Sequence, residues 1–344
     1  MRVRAGRGLA ARAVGVASGL VLDHLLGEPP APVHPVALFG RGMSFVEGRC
    51  WADRRAPGAL FLTTGAGAAL LAGSLASALL GRAGGTAAAT ALAAAGTSLR
   101  EAAGGVWDCL SSGDLDGARA LLPALVGRDT AGIDEKEIAR AVVESVAENL
   151  SDAVVGTALW GLLLGAPGAM VHRAVNTLDA MVGHRSARYR RFGWAAARAD
   201  DLLGWPSARL TALLVMVAAP RQARAIVAAV RRDAPAHPSP NAGVAEAAFA
   251  GALGLRLGGV NRYGGRAELR PFLGCGRPPE PADIPRAVAL AGRATAVLAG
   301  LAGACALACL VLPAACRPRA SRWSGGRRGC DASLTAGDTG MAGR

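Results

Sequence analysis

Long uncharged runs alternate along this chain with short stretches dense in charge. Between Arg55 and Arg82 no residue is charged, and the body of that run reads LFLTTGAGAALLAGSLASALL. A helix needs about 20 apolar residues to cross a hydrocarbon core, so Ala56 to Gly81 is predicted to span a membrane. Its many Gly, Ala and Ser residues would let neighbouring helices approach closely. Three further runs are expected spans: Ala83 to Leu99, which would return across the bilayer; Ala153 to Val171, which Pro167 would kink or end; and Ala294 to Cys316.

Two stretches read ambiguously. Ala13 to Leu26 is apolar but short and contains Asp23 and His24. It follows Arg2, Arg4, Arg7 and Arg12, yet no small-x-small site stands behind it, so it reads as a retained segment with a cytoplasmic N-terminus. Leu210 to Ala219 ends at Pro220 and reads as a half-helix or a buried helix. The expected fold is all-α: one multi-pass helical membrane domain over residues 1–316, with four or five transmembrane helices. Residues 317–344, without apolar periodicity, are expected to form a disordered basic tail.

The polar segments between the runs differ in character. Residues 27–55 read as a loop-rich entry, residues 172–209 are dense in Arg, Asp and Asn, and residues 221–293 are basic with many Pro and Gly. Residues 100–152 hold eleven acids against five bases in a chain whose formal charge is +13. That positive charge is almost entirely arginine, Lys136 being the only lysine, and no basic stretch is interleaved with aromatics, which argues against a nucleic-acid partner. The seven cysteines include no CxxC pair, so neither a zinc site nor a disulfide framework is indicated.

Three clusters could carry chemistry. In GRDTAGIDEKEIARAVVESVAENLSDAVVG, Asp134 and Glu137 fit a capping box that opens a helix. Along that helix Glu137, Glu144, Glu148 and Asp152 share a face, with Ile138 and Val142 beside it to pack inward. Carboxylates at this spacing suit Mg²⁺ shared with substrate phosphates. The alternative is a solvated face with an Arg140–Glu144 pair. The second cluster sets Asn176 and Asp179 three residues apart, crowds Arg185, Arg188, Arg190 and Arg191 into a turn, and places Arg198 before Asp200–Asp201. A positive-inside loop would need the arginines but not the acids. In the third, HPSPN forms a rigid loop, Glu246 sits on a small-residue helix, and the pairs Gly258–Gly259 and Gly264–Gly265 would allow a ligand close to the backbone. Neither a P-loop nor a Rossmann fingerprint occurs, so a nucleotide would be held in some other way. His34, between two prolines in PVHPV, reads as structural rather than catalytic, and His172, His184 and His237 show no metal-ligand spacing.

Four ordered motifs give the chain a resemblance to the CobD/CbiB family of cobalamin-biosynthesis enzymes, the adenosylcobinamide-phosphate synthases. They are LDHLLGEP with HPV, RDTAGIDEKEIARAVVESVAENLSDAVV, AVNTLDAMVGHRSARYRRFGWAAARADDLLGWPSARLTALL, and HPSPNAGVAEAAFAGALGLRLGG. The resemblance implies a multi-pass inner-membrane enzyme that joins adenosylcobyric acid to aminopropanol phosphate or ethanolamine phosphate through an amide, consuming ATP with Mg²⁺. Its implied partners are these substrates, membrane lipid and other corrinoid-pathway enzymes. It carries over Asp23, His34, Arg128, Asp129, Thr130, Glu144, Glu148, Asn149, Asp152, Asn176, Asp179, Arg198, Asp200, Asp201, Ser239, Asn241 and Glu246. Of these, Glu144, Glu148, Asp152 and Asp179 are the expected metal ligands, and Glu144, Arg128, Arg198, Asp200 and Asp201 the expected catalytic groups. Asp129, Thr130, Asn149, Asn176, Ser239, Asn241 and Glu246 are expected to bind the cofactor. Arg173, His184 and Val244–Ala245 depart from the family pattern. An AmpE-like signalling protein and a small-molecule transporter are the alternatives.

Overall fold

The computed structural model describes residues 2–30, 32–184 and 186–315; the expected tail, Cys316 and Arg185 lie outside the described residues. Twelve α-helices account for most of them. They are α1 (Arg2–Leu26), α2 (Pro35–Cys50), α3 (Arg55–Ala93), α4 (Gly96–Ser111), α5 (Leu115–Leu121), α6 (Glu135–Asn149), α7 (Gly156–Leu164), α8 (Ala166–Val182), α9 (Trp194–Ala218), α10 (Ala223–Asp233), α11 (Ala242–Leu253) and α12 (Asp283–Ala315). A short antiparallel hairpin, β1 (Leu257–Tyr263) with β2 (Arg266–Leu273), is the only sheet among the described residues.

Four stretches are long and apolar enough to cross a membrane: Gly6–Leu26, Arg55–Ser111, Trp194–Ala218 and Asp283–Val311. The second contains a reversal. Gly81 adopts φ 71° and ψ 170°, a left-handed conformation that costs other residues strain, and the chain folds back on itself there. A Cβ at Gly85 would lie 2.7 Å from Ser77 Cα, so the two arms touch backbone to backbone. The expected outward run and its return at 83–99 are therefore the arms of one helical hairpin.

The small residues then set the packing. The outward arm of α3 runs against α8, where a Cβ at Gly73 would lie 2.6 Å from Pro167 Cα and one at Gly65 2.8 Å from a Leu178 methyl. The return arm lies along α1, whose Gly15 meets Ala83 and Thr86 and whose Gly19 meets Ala87 and Thr90. Leu70, Leu71, Leu75 and Leu79 of α3, Leu213 and Val217 of α9, and Leu307 and Leu310 of α12 stay exposed. On a spanning helix such residues face lipid rather than protein.

Several expectations need correction. The run Ala153 to Val171 does not cross as one helix. After a wide π-helical turn over Leu150–Val155 it continues as α7, breaks at Gly165 beside Pro167, and returns as α8. Arg12 of α1 donates to the Leu163 carbonyl at 2.6 Å and caps that break. Leu210–Ala219 is the second half of the long helix α9, which also carries Asp200 and Asp201. The loop-rich entry contains α2, opened by His34, whose ring nitrogen accepts from the Val36 N–H at 3.2 Å. The other expectations on residues 134–149 hold: Asp134 and Glu137 form the capping box, and Ile138 and Val142 are fully buried.

Candidate active site

The site is assembled around α6. Its amphipathic pattern puts Ile138, Val142 and Val146 into the central core and turns Glu144 and Glu148 toward the third cluster. Glu144 is 7 % exposed. Its Oε2 accepts from Arg128 at 2.5 Å, and its Oε1 accepts from the Gly258 N–H at 2.8 Å and from Arg140 at 3.3 Å. Both arginines also donate to the Asn261 side-chain oxygen, at 2.5 and 3.0 Å. The Arg140–Glu144 pair is thus present, but as part of a buried network rather than a solvated face. With its oxygens engaged by three donors, Glu144 anchors the arginines and β1 instead of offering a free metal ligand.

The two glycine pairs serve the protein as well. Gly258 and Gly259 form a bulge in β1, and Gly264–Gly265 is the hairpin turn. Both turn N–H groups donate to the Asp129 carboxylate, at 3.0 and 2.8 Å. Those hydrogen bonds hold the Asp129 carboxyl below its usual pKa range. Asp129, expected to bind a cofactor, therefore fixes the hairpin over the site, and the turn glycines give their amides to it rather than to a ligand. Thr130 follows it, partly exposed.

Behind this roof lies a polar cavity of about 180 Å³, lined by Arg128, Glu144, Glu148, His237, Glu246 and Arg270. Glu148 is pushed up in pKa by burial, and Asp200 and Glu144 push it further; Arg270 and Arg128 oppose them. Asp152, carried on the π turn, is raised by burial and then by Asp200 and Glu148. Asp179 is raised to about 7 by burial, with Asp200, Asp201 and Glu148 adding to it. Glu246 is raised by burial and by the Glu144 and Glu148 charges. Its partner His237 stands 3.9 Å away. Glu148, Asp152, Asp179, Asp200 and Glu246 therefore form one electrostatically connected group contributed by four helices and a π turn.

The π turn matters to that arrangement, because widening the helix leaves a main-chain carbonyl for an outside partner. The Asp152 carbonyl accepts from His172 Nε2 at 2.8 Å, and a Cβ on Gly156 would collide with that imidazole. Asn176 donates to Asp200 at 3.3 Å while accepting from Arg173 at 3.2 Å, so both belong to the cluster as expected. Asn241 reaches the same region through the backbone, donating to the Asp201 carbonyl at 2.9 Å and accepting from Arg209 at 3.1 Å.

Other expected residues have local duties. The Ser239 hydroxyl accepts from the N–H groups of Asn241 and Ala242 and so caps the start of α11. Asn149 donates back to the Ser145 carbonyl at 2.9 Å within its own helix. Arg198 is exposed and lies two residues from Asp200, about 200° around the helix, which places it off the acidic face. Asp23 lies in the last turn of α1 and His34 opens α2, where it pairs with Glu28 at 2.9 Å; neither lines the polar cavity.

Arg270 and Arg173 were missed by sequence reasoning. Arg173 was noted only as a departure from a family pattern, and its position i−3 from Asn176 was an available signal. Arg270 had no signal, since a strand beginning after a Gly-Gly turn in a basic, Pro-rich stretch does not reveal which side chain points inward.

Among the described residues no three His, Cys, Asp or Glu side chains converge as a ready-made metal site. The donor set still fits a hard divalent cation, because Mg²⁺ is commonly held by one or two carboxylates with the remaining positions filled by water and phosphate oxygens.

Fold and site together define a helical membrane protein in which helices between and beside the spans bring buried acidic and basic side chains together around a small polar cavity. A family model described as CobD/Cbib protein matches residues 16–291. The chain is 48% identical over 285 residues to the cobalamin biosynthesis protein CobD of Mycobacterium tuberculosis strain H37Rv, covering 81% of this chain and 91% of that protein. It is 45% identical over 300 residues to the cobalamin biosynthesis protein CobD of Chromobacterium violaceum, covering 84% and 95%, and 43% identical over 281 residues to that of Pelobacter propionicus, covering 75% and 84%. No solved structure matches. The chain belongs to the CobD/Cbib family, and that membership places it in cobalamin biosynthesis.

Proposed function

We propose that this protein is an adenosylcobinamide-phosphate synthase, joining a carboxyl group of adenosylcobyric acid to the amine of aminopropanol phosphate or ethanolamine phosphate with ATP as co-substrate. The observation that carries the reading is the pair of buried carboxylates Glu148 and Glu246 facing a small cavity with Arg128 and Arg270 in its wall, backed by the Asp152, Asp179 and Asp200 charges that act on Glu148 from outside that wall. An amide does not form from a carboxylate and an ammonium ion without activation of the carboxylate and removal of a proton from the amine. Arginine forks suit the phosphate of the small substrate, and about 180 Å³ suits that substrate rather than a corrin ring. The ring would then remain outside and present only its side-chain carboxyl.

Asp179, with its pKa raised to about 7, is matched to accepting the amine proton near neutral pH. Asn176 orients Asp200 beside it. Glu148 and Asp152 would hold Mg²⁺ together with phosphate oxygens. When bound there, the ion would offset the charge of those phosphates.

The test is rescue of a cobalamin-auxotrophic host lacking its own synthase, supplied with cobyric acid or cobinamide in parallel. The expected result is growth on cobyric acid with the wild-type chain and none with a membrane-expressed Glu148→Ala variant. Growth on cobinamide alone, with the wild-type chain present in the membrane, would overturn the ligase reading and favour the non-catalytic alternatives.

A further inference from the structure

A second cavity, of about 440 Å³, lies between α1, α4, α6 and α12, on the far side of α6 from the acidic site. Val146, Leu150 and Val154 line it, offset by two residues from Glu144, Glu148 and Asp152 and therefore on the opposite face of the α6–π segment. Its remaining apolar wall includes Leu20 of α1 and Val288 and Ala299 of α12. It opens sideways, since Val21 and Leu25 are exposed and a Cβ at Gly292 would meet nothing within 4 Å.

Three ionisable side chains interrupt this lining, Asp23, His24 and Arg100, while the Thr295 hydroxyl is turned back to the Ala291 carbonyl of its own helix. Asp23 and His24 sit in the last turn of α1, where that span ends. Arg100 donates to His24 Nδ1 at 2.5 Å and to Thr97 Oγ1 at 3.0 Å, which leaves the His24 Nε2–H as a further donor. Asp23 is 3 % exposed, and its Oδ1 is buried with no hydrogen-bond partner among the described residues. A buried acceptor left without a donor is costly in an apolar setting.

We infer that this groove binds one phospholipid with a primary-ammonium headgroup, of the phosphatidylethanolamine type. Its phosphate lies on Arg100 and His24, its ammonium donates to Asp23 Oδ1, and an acyl chain fills the apolar groove. The dimensions agree. From Val288 to Ala299 the helix rises about 16 Å, close to one leaflet of a hydrocarbon core about 30 Å thick. The chemistry agrees as well, because the polar end supplies both a guanidinium with a neighbouring imidazole N–H for a phosphate and a buried acceptor that a headgroup with N–H donors satisfies. A bound lipid would brace the apolar back of the helix that carries Glu148. The inference does not depend on the ligase reading.

The test uses the full chain reconstituted in vesicles of equal phosphatidylethanolamine, phosphatidylglycerol and phosphatidylcholine, then extracted in mild detergent and weighed by native mass spectrometry. The wild type is expected to retain one phosphatidylethanolamine. Gly292→Leu, which fills the groove from its open side, and Arg100→Gln are each expected to lower that occupancy about tenfold. Folding is checked by a monodisperse elution profile, and Gly292→Leu keeps the test decisive if Arg100→Gln misfolds. Complete delipidation of the wild type, equal retention by Gly292→Leu, or equal retention of phosphatidylcholine would overturn the proposal. So would displacement of the lipid by millimolar ethanolamine phosphate, which would assign the polar end to a soluble aminoalkyl phosphate.

Discussion

Truncating Glu144 to alanine removes the group on which the roof of the polar cavity hangs. In the wild type its side chain is 9% exposed, and those of Arg128 and Arg140 are 8% and 11% exposed. The variant leaves two largely buried guanidinium groups facing each other across Asn261, and it deprives the Gly258 N–H of its acceptor. Breaking one side of a buried ion pair costs about 3–5 kcal/mol, and an orphaned N–H about 1–3 kcal/mol more. Arg128 and Arg140 keep Asn261, and water can enter the space vacated, so a net loss of about 4 kcal/mol is expected. Glu144→Gln keeps one oxygen as acceptor for Gly258 but loses the charge and turns an NH2 donor toward Arg128, so its loss should be smaller than that of the alanine variant without vanishing. The assay is thermal unfolding in detergent, followed by the fraction remaining monodisperse. A loss of that size lowers the midpoint by roughly 5 °C or more in a chain of this length. Asp116→Ala serves as the control, since it removes an ion pair whose carboxylate is 92% exposed and should leave the midpoint unchanged. A Glu144→Ala midpoint matching that of the control would refute the anchoring role.

Two further outcomes follow from the same geometry. Asp129→Ala should speed amide exchange at Gly264 and Gly265, whose N–H groups it binds, while the amides of α6 stay as protected as in the wild type; unchanged exchange in the turn would show that the hairpin stands without it. Asp179 ionises near 7 in the folded chain against 3.8 ordinarily, so between those values the folded state keeps a proton that the unfolded state releases. Stability from this group is full below about pH 4 and declines as pH rises to 7; Asp179→Asn should flatten that part of a midpoint-against-pH curve, and an unchanged slope would assign it to other carboxylates.

Much of this protein was legible along the chain. Hydrophobic runs identified a multi-pass helical membrane protein because a bilayer demands about 20 apolar residues per helix, a requirement visible without tertiary structure. The capping box at Asp134–Glu137 and the inward stripe of Ile138 and Val142 were equally local, set by hydrogen bonds and periodicity within a few residues. The motifs also pointed to Glu148, Asp152, Asn176, Asp179, Asp200 and Glu246, which the folded chain brings into one electrostatic neighbourhood.

Tertiary structure decided what depends on distant partners. Glu144 looks like Glu148 in sequence, yet Arg128, Arg140 and Gly258 engage it, because a two-residue bulge in a strand 114 residues away delivers an N–H to its oxygen. The glycine pairs carry no mark telling whether a ligand or Asp129 will take their amides. Whether Ala153–Val171 crosses straight or doubles back at Gly165 depends on Arg12 and the α3 surface that receive the turn. Arg270 enters the cavity only because β2 pairs with β1 in one register. Propensity and hydropathy act over neighbouring residues, whereas the cost of burying a charge is settled by whatever the fold places beside it.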